Sequence, residues 1–500
     1  MAIAAFILCS SLRIIVESVK PVNLLLNLIS LVGIFVLCFI AWLGSEHRRV
    51  IQWNVLIVGI TLQLLVGILV FGVGSYLIDG INNIINPILD ASEAGAKFLF
   101  GGPTSILAVD PVANPGPGPA GRWIARAVGD AYVAIPGDRL GPDTLNPGFS
   151  YVLAFRALPQ IIFFAALVAL LYRLNIIQPV VRVFAWVFKR TMNISGAEAL
   201  SGAANIFVGI ESAIAVKPFL PKMTRSELCA ILTSCFGSIA SSVLGLYAGF
   251  LRGSFPDIAG HLVSASILTI PACFVISKLL VPEIGEPETM GHVPDDVTEG
   301  NPENRPSPVD SLIIGALDGV KMAVGIAAVL IAILGVIALF NAPFNQIAVW
   351  IDGADVNPLL SEFLQQPLRN LMAMLFLPLT FLTGVALDWQ NLWLASTLIG
   401  QRLFETNIPP YLALNGLSQS GAISDRSLLI VSYVLCGFAH FASYGIFVGG
   451  LSALVPERRS EISALGFKAL WGATLATLMT GCVAGVFFGL LGEPTSIIGR

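Results

Sequence analysis

The segment NLLLNLISLVGIFVLCFIAWL, from Asn23 to Leu43, contains no charged side chain. A helix needs roughly 20 consecutive apolar residues to cross the hydrocarbon core of a bilayer, so this segment predicts a membrane-spanning helix. Comparable runs follow along the chain: Asn54 to Val73, Tyr151 to Leu174, Ile231 to Leu251, Ile258 to Val281, Gly319 to Phe340, Leu428 to Val455 and Ala464 to Leu490. Repeated spans indicate a polytopic membrane protein and exclude a secretory signal followed by a soluble domain.

The composition supports a membrane protein. Of the 500 residues, 56% are hydrophobic and only 12% are charged, which is too apolar for a chain surrounded by water. The net charge of −4 is small and no basic stripe is present, so nucleic acid is not an expected partner. Residues 1–22 form an N-terminal extension that could be an extra helix, an interfacial helix or an unstructured segment.

The seven cysteines lie in apolar stretches, so they are expected to be small buried hydrophobic residues. They form no CxxC motif, so neither a disulfide framework nor a cysteine metal site is expected.

The positions of the basic residues predict the orientation in the membrane. Excess Lys and Arg mark cytoplasmic loops. Basic residues follow the first span at Arg48, follow the third at Arg173 and precede the last at Arg458. These regions are therefore expected inside, whereas the Gly- and Pro-rich loop 101–149 and the C-terminus are expected outside.

An acidic, Pro-rich segment, residues 283–309, predicts a cytoplasmic linker between two halves. Each half has an amphipathic run followed by two short apolar segments and then long spans. In the first half these are Ile177 to Arg190, then Gly196 to Val208 and Ser212 to Leu220. In the second half the short segments are Leu371 to Ala386 and Leu392 to Phe404, and the following Thr406 to Pro410 is not expected to continue a helix. Such pairs predict re-entrant helical hairpins in inverted repeats.

Polar side chains at membrane depth are costly unless they line a cavity or pair with one another, so they are the candidate functional residues. In the first half they are Asn205, Gly209, Glu211 and Ser212, followed by Ser238, Ser241 and Ser242. An amide, a hydroxyl and free carbonyls form a neutral oxygen cage that suits a sodium ion. Close helix packing explains Gly202, Ser241 and Ser242 more simply.

The second half contributes Glu405, Thr406 and Asn407, followed by His440 and Ser443. His440 and Ser443 are three residues apart and are expected to share one face of a long apolar helix. This position favours a site over a buried structural histidine.

With these residues in place, the sequence resembles the concentrative nucleoside transporter family from about Leu26 to Leu490. The resemblance is carried by six ordered motifs, among others: Ser45-Glu46-His47-Arg48-Arg49, Ala154-Phe155-Arg156-Ala157-Leu158-Pro159, Ala203-Ala204-Asn205-Ile206-Phe207-Val208-Gly209, Met223-Thr224-Arg225-Ser226-Glu227-Leu228, Cys436-Gly437-Phe438-Ala439 and Ala464-Leu465-Gly466.

The resemblance implies a homotrimer in which a mobile transport domain moves as an elevator against a scaffold, coupled to sodium or protons. It implies sodium ligands at Asn205, Val208, Ser238 and Ile239. It implies substrate contacts at Gly209, Ile210, Glu211, Ser212, Val243, Thr406, Asn407, Phe438, His440 and Ser443. The expected fold is all-α, with about eight transmembrane helices plus the two hairpins.

The resemblance also divides the chain. The scaffold takes helices in residues 23–100, the helix in 150–174 and an interfacial helix with a scaffold helix in 310–366. The transport domain takes residues 175–282 and 367–490, and residues 491–500 form a C-terminal tail.

The expected pocket departs from the family. Its Gly-Gln-Thr-Glu becomes Gly209-Ile210-Glu211, its ribose-binding Glu becomes Asn407 unless Glu405 replaces it, and an Asn becomes His440. A carboxylate accepts two hydroxyl protons, whereas an amide accepts through its oxygen only. Ordinary ribonucleoside selectivity is therefore not assured.

The sequence thus predicts a cation-coupled symporter, with sodium as the expected ion and no organic cofactor, that imports a nucleoside-like solute across the cytoplasmic membrane. The alternative is a carrier of a modified nucleoside, a free nucleobase or another polar solute, with proton coupling. An intramembrane enzyme is not expected, because no HExxH, GxSxG or paired-aspartate spacing occurs.

Overall fold

The computed structural model describes residues 21–72, 74–100, 153–291, 306–353 and 363–490. Within these ranges all regular secondary structure is helical, which confirms the all-α prediction. The helices are α1 (Pro21–Leu43), α2 (Trp53–Gly72), α3 (Gly74–Phe100), α4 (Leu153–Arg173), α5 (Ile177–Met192), α6 (Gly196–Ala204), α7 (Arg225–Gly237), α8 (Ser241–Leu251), α9 (Ile258–Leu280), α10 (Pro308–Gly353), α11 (Pro367–Leu382), α12 (Trp389–Glu405), α13 (Ile408–Gln419), α14 (Asp425–Leu435), α15 (Phe441–Leu454) and α16 (Arg459–Phe487). Short 3₁₀ turns lie at Ile210–Val216, Leu220–Lys222 and Pro456–Arg458.

Five of the described helices are long and apolar enough to cross a membrane: α1, α2, α9, α10 and α16. Helix α4 meets α5 at an 80° bend, so α4 can cross while the amphipathic α5 lies along the interface. The chain is therefore a multi-pass membrane protein. The predictions for residues 1–20, 101–149 and 491–500 lie outside the described residues, as does most of the 283–309 linker.

Two of the predicted continuous spans are interrupted. The run Ile231 to Leu251 forms α7 and α8 with a non-helical break at Ser238–Ala240, and the run Leu428 to Val455 forms α14 and α15 with a break at Cys436–His440. The two breaks cross at the centre of the molecule. A Cβ on Gly437 would lie 2.3 Å from the Gly237 carbonyl oxygen, so only glycine permits this approach. Hydropathy could not show the interruption, because the break residues are themselves small or apolar.

The order of elements repeats in the two halves. In each half a helix, a short helix, a non-helical tip, a second short helical element, an interrupted helix and one long helix follow in that order. In the first half these are α5, α6, the tip at Asn205–Gly209, the 3₁₀ turn Ile210–Val216, α7–α8 and α9; in the second they are α11, α12, the tip at Thr406–Asn407, α13, α14–α15 and α16. The prediction that paired Leu371–Ala386 with Leu392–Phe404 needs correction, because α11 corresponds to α5. The second tip lies at Thr406–Asn407, between α12 and α13. Helix α13 begins at Ile408, directly after the second tip. Pro409 and Pro410 fall in its first turn, where a missing amide hydrogen breaks no hydrogen bond of the helix.

Packing centres on α16 and α9, which are 89% buried in their apolar windows. Helices α1, α7, α9 and α14 pack against α16, and α2 packs against α9. Helices α4 and α10 pack against each other along their length, where Gly315 and Gly319 admit the backbone of α4. Residues 310–366 were expected to hold an interfacial helix and a scaffold helix. The described part of this range up to Gly353 is instead a single helix, α10, of 46 residues, and residues 354–362 lie outside the described part.

Charged residues collect at one end of the molecule. Glu46, in the α1–α2 loop, accepts hydrogen bonds from Arg225 (2.8 Å) at the start of α7 and from Lys468 (2.6 Å) on α16. The hydrogen bond from Arg225 is the main reason that the pKa of Glu46 falls to about 2, and Lys468 adds to the shift. Arg458 pairs with Glu461 beside this cluster. Two of the loops predicted to be cytoplasmic thus lie at the same end.

Candidate functional site

The first tip follows the short buried helix α6. This helix begins with a capping box, in which the Ser195 hydroxyl accepts from the Glu198 amide and the Glu198 carboxylate accepts from the Ser195 amide. Glu198 also pairs with the buried Lys278 of α9 at 2.5 Å. The start of α6 is therefore fixed, and the chain leaves the helix at Asn205.

Asn205 is fully buried and sits within a set of neutral oxygens. One terminal atom of its amide lies 2.8 Å from the Gly209 carbonyl oxygen, 3.2 Å from the Val208 carbonyl oxygen and 3.0 Å from Ser212 Oγ. The other terminal atom lies 3.1 Å from Ser234 Oγ.

Two orientations of this amide are chemically distinct. With its nitrogen towards Val208 and Gly209, the amide donates to both carbonyls and no ion is needed. With its oxygen there, at least three oxygens meet, which is favourable only around a cation. The tip can therefore hold a monovalent cation in the orientation that turns the Asn205 oxygen towards the two carbonyls.

The α7–α8 break lies beside this tip. Ser238 and Ile239 are buried, and the hydroxyl of Ser238 has no hydrogen-bond partner among the described residues. The break is tied to the tip because the Ser241 amide donates to the Phe207 carbonyl at 2.9 Å. An unpaired buried hydroxyl is a further oxygen that fits a cation. The four expected sodium ligands thus come from two adjacent elements.

The second tip is strained. Thr406 has φ +70°, a region that a β-branched residue rarely adopts and that costs of the order of 1–3 kcal/mol. The next residue, Asn407, is fully buried and donates through Nδ2 to the carbonyl of Leu435 (2.9 Å) and to that of Gly437. Within the part of the chain that the structure describes, its Oδ1 has no hydrogen-bond partner. The Asn407 amide therefore bonds the α14–α15 break and offers one free acceptor. The Glu405 carboxylate instead accepts from Gln401 at 2.5 Å.

His440 does not lie inside a helix, contrary to the prediction that it shares a helix face with Ser443. It is the N-cap of α15, and its Nδ1 accepts from the Ser443 amide at 3.2 Å. In a neutral ring this acceptor role leaves the proton on Nε2. The Ser443 hydroxyl lies 3.0 Å from the ring. Phe438 packs edge-on to His440, with ring centroids 6.1 Å apart.

A cavity of about 250 Å³ lies between the first tip and the helices α4 and α10, close to the lower end of small-molecule pockets, about 300 Å³. From the tip it is lined by Phe207, Val208, Gly209 and Ser212. Opposite are Tyr172 on α4 and Asp318 and Met322 on α10. Asn407 and His440 do not line it.

The structure brings most of the predicted site residues to the centre of the molecule, where the breaks cross. The 3₁₀ turn Ile210–Val216 packs against α15, which His440 caps. Val243 is buried in the first turn of α8. The side chains of Ile210, Glu211 and Ser242 lie outside the described part, so the expected contacts of Glu211 remain predictions.

Sequence reasoning missed three side chains. Arg402 is buried in α12, although a charged residue inside an apolar segment was a visible signal. Tyr247 and Tyr411 stack at 4.4 Å between ring centroids, joining α8 to α13. No sequence pattern links these two tyrosines, because they belong to different halves.

An all-helical membrane protein in which two interrupted helices meet beside two tips has the architecture of a secondary transporter. Three family models match the chain: the N-terminal part of Na⁺-dependent nucleoside transporters over residues 32–103, a nucleoside recognition (gate) region over 154–253, and the C-terminal part of Na⁺-dependent nucleoside transporters over 261–485. The chain belongs to the Na⁺-dependent, or concentrative, nucleoside transporter family, as the resemblance implied.

Curated relatives agree with this assignment. The chain is 31% identical to mouse sodium/nucleoside cotransporter 1 over 92% of its own length and 64% of that protein's length. It therefore spans somewhat less than two thirds of that longer relative. It is 30% identical to the putative nucleoside permease NupX of Escherichia coli, over 92% of this chain and 99% of that one.

Solved structures also agree. The chain is similar to CNTnw in an inward-facing substrate-bound state, with a TM-score of 0.74 and 29% identity over 92% of this chain and 98% of that one. It is similar to a CNTnw variant in an outward-facing state, with a TM-score of 0.77 and 28% identity over 94% of this chain and 100% of that one.

Proposed function

We propose that this protein is a sodium-coupled symporter that imports a nucleoside or a nucleoside-like solute. The observation that carries the proposal is the set of oxygens around Asn205. The amide, two carbonyls and two buried hydroxyls are all uncharged, which suits a monovalent cation better than a divalent one. Transporters with broken helices bind their coupling ions in this way, through freed carbonyls at membrane depth.

The helices support a membrane topology with eight crossings. Helices α1, α2, α4, α9, α10 and α16 cross singly, and α7–α8 and α14–α15 cross as interrupted pairs, which gives eight crossings. The tips at Asn205 and Thr406 belong to two re-entrant hairpins in inverted repeats. The ionic cluster around Glu46 faces the cytoplasm, since Arg48 and Arg458 lie in the basic loops beside it.

An elevator motion accounts for transport. The cavity separates the first tip from α4 and α10. We place α4 and α10 in the scaffold and residues 175–282 and 367–490 in the mobile domain. Residues 23–100 were assigned to the scaffold from the resemblance. The packing of α1 and α2 on α16 and α9 favours their movement with the mobile domain instead.

Helix α10 supports a trimer in the cytoplasmic membrane. Only 11% of its apolar window is buried within one chain, and large side chains such as Ile331, Leu339 and Trp350 are exposed. Such a face can meet lipid or a second copy of the chain, and the homotrimer implied by the resemblance uses part of it.

The substrate differs from an ordinary ribonucleoside on its sugar side. Asn407 offers a single acceptor, Oδ1, without a partner among the described residues, where a carboxylate would offer two oxygens. The neutral His440 ring carries its proton on Nε2, which lies 3.0 Å from the Ser443 hydroxyl. A pocket that keeps an aromatic side chain, Phe438, but loses a carboxylate favours a nucleobase with a modified sugar. A free nucleobase or another polar solute, driven by protons, is the second candidate.

Uptake into proteoliposomes tests the proposal. A panel of radiolabelled nucleosides and nucleobases is offered with an inward sodium gradient, with choline in its place, and with a proton gradient alone. Accumulation that depends on sodium and on a compound with a nucleobase is expected. Accumulation that persists in choline and follows the pH gradient would reject sodium coupling, and no accumulation of any nucleobase compound would reject the substrate class.

A further inference from the structure

In each interrupted helix the first segment ends at the break, in similar surroundings. Helix α7 ends at Gly237 and α14 ends at Leu435, both at the centre of the molecule. The last carbonyls of a helix lack partners within the helix, and its C-terminus carries roughly half a negative charge. In transporters with broken helices such ends bind the coupling cations. This chain therefore has two carbonyl ends that would be stabilised by a positive charge.

The C-terminal end of α14 already has a positively charged side chain beside it. Arg402 of α12 is 1% exposed, and its Nη1 donates to the Val434 carbonyl, in the last turn of α14, at 2.5 Å. The same nitrogen lies 3.2 Å from Thr477 Oγ1 on α16. The neighbouring carbonyls of Leu435 and Gly437 accept from Asn407. The carbonyl groups at the end of α14 are thus satisfied by donors from the protein itself.

The guanidinium of Arg402 has no acidic partner that would explain its burial. Within the described ranges no carboxylate lies within 4 Å of it, and its Nε has no hydrogen-bond partner. Glu405, one turn further along α12, is bonded to Gln401. A buried cation without a carboxylate is costly, so the negative end of α14 is the partner that stabilises it.

The C-terminal end of α7 differs from that of α14. Among the described residues no lysine or arginine donates to the last turn of α7, and the groups beside it are the neutral Asn205 and Ser238. Lys278, the buried lysine of this half, pairs with Glu198 at the other end of α6. The end of α7 therefore lacks a positive charge that the protein supplies.

We propose that Arg402 is a tethered cation that takes the place of a coupling ion at the end of α14, so that each transport cycle carries one mobile cation, bound at the end of α7. This inference rests on the proposed sodium coupling. Arg402 is a positioning residue, because it acts through the α14 backbone and the second tip. A free cation at the end of α14 would have to be bound and released in each cycle, whereas the guanidinium moves with the domain.

Two substitutions separate the charge of Arg402 from its shape. Arg402→Lys keeps the charge, and Arg402→Gln keeps a hydrogen-bond donor but removes the charge. Arg369→Gln is the matched control, because Arg369 lies on α11 and its guanidinium bonds Gln366 at an exposed position. The measurements are the sodium activation curve of uptake and the number of sodium ions per solute, from the reversal potential in proteoliposomes.

The wild-type, Arg402→Lys and Arg369→Gln proteins should each carry a single sodium ion per solute, with a Hill coefficient for sodium of about one. Arg402→Gln should need about tenfold more sodium or above for half-maximal uptake, with a Hill coefficient greater than that of the wild type, because a second ion must fill the end of α14. A total loss of uptake in Arg402→Gln that Arg402→Lys restores also supports the need for a charge.

Several results would overturn the inference. They are two sodium ions per solute in the wild-type protein, an Arg402→Gln protein that matches the wild type, and equal losses in Arg402→Lys and Arg402→Gln. If wild-type uptake shows no sodium dependence, the proposed function fails instead. The lysine and glutamine variants, compared under a proton gradient, then still decide whether position 402 requires a charge.

Discussion

The crossing of the two helix breaks makes a sharp prediction for Gly437. A Cβ at this position would lie 2.3 Å from the Gly237 carbonyl oxygen, 3.0 Å from the Gly237 carbonyl carbon and 2.8 Å from Thr477 Cγ2. Two of these three atoms belong to backbone, so they cannot rotate away as the end of a flexible side chain would. Gly437→Ala must therefore push one interrupted helix away from the other.

Overpacking of this kind costs about 1–3 kcal/mol of folding stability. Because Asn407 of the second tip donates to the Gly437 carbonyl, the displacement should also reduce uptake. Gly445→Ala is the matched control. Gly445 lies in α15 of the same half, and a Cβ there would meet nothing within 4 Å. Alanine in a helix is favoured over glycine by about 0.5–1 kcal/mol, so the control should keep or raise stability.

The assay is the thermal unfolding midpoint of purified protein in detergent, measured at one scan rate because membrane proteins unfold irreversibly, together with uptake in proteoliposomes. Gly437→Ala should lower the midpoint and the uptake rate, while Gly445→Ala changes neither adversely. If both variants unfold and transport like the wild type, the breaks are not in contact and the crossing is wrong.

Three further predictions follow from the site and the ionic cluster. Asn205→Ala should raise the sodium concentration for half-maximal uptake about tenfold, because a ligand and a buried hydrogen-bond partner are lost. The control Asn83→Ala, at an exposed position, should leave that concentration unchanged. Equal sodium curves for the two variants would remove Asn205 from the ion site. Because the pKa of Glu46 is about 2 in the folded protein and about 4.3 in the unfolded chain, its ionised carboxylate stabilises the fold above about pH 4.3, and this stabilisation is lost as the pH falls towards about 2. The difference in thermal midpoint between wild type and Glu46→Gln should therefore shrink across that pH range. A difference that stays constant with pH contradicts this prediction. His440→Asn combined with Asn407→Glu should move selectivity towards ordinary ribonucleosides in competition uptake, and a double variant that is merely slower for every substrate contradicts the sugar-side assignment.

The membrane class, the all-helical fold and the family were all predictable from the amino-acid sequence. These properties depend on apolar length, composition and local motifs, all of which are read along the chain. The Asn205-to-Gly209 segment and the basic loops were visible for the same reason. The placement of His440 and Ser443 on one helix face was wrong, because a break in an apolar run depends on what crosses it, here Gly237 against Gly437.

The position of the second tip and the group bound at the C-terminal end of α14 became apparent only from the packing of the helices. Helix α11 had the composition of a hairpin arm, and its correspondence with α5 became clear only from the order of the helices around it. Arg402 was visible as a charge but not as a bond to the Val434 carbonyl, since the two residues lie 32 positions apart. Contacts between distant segments depend on how helices pack, and neither hydropathy nor spacing carries that information.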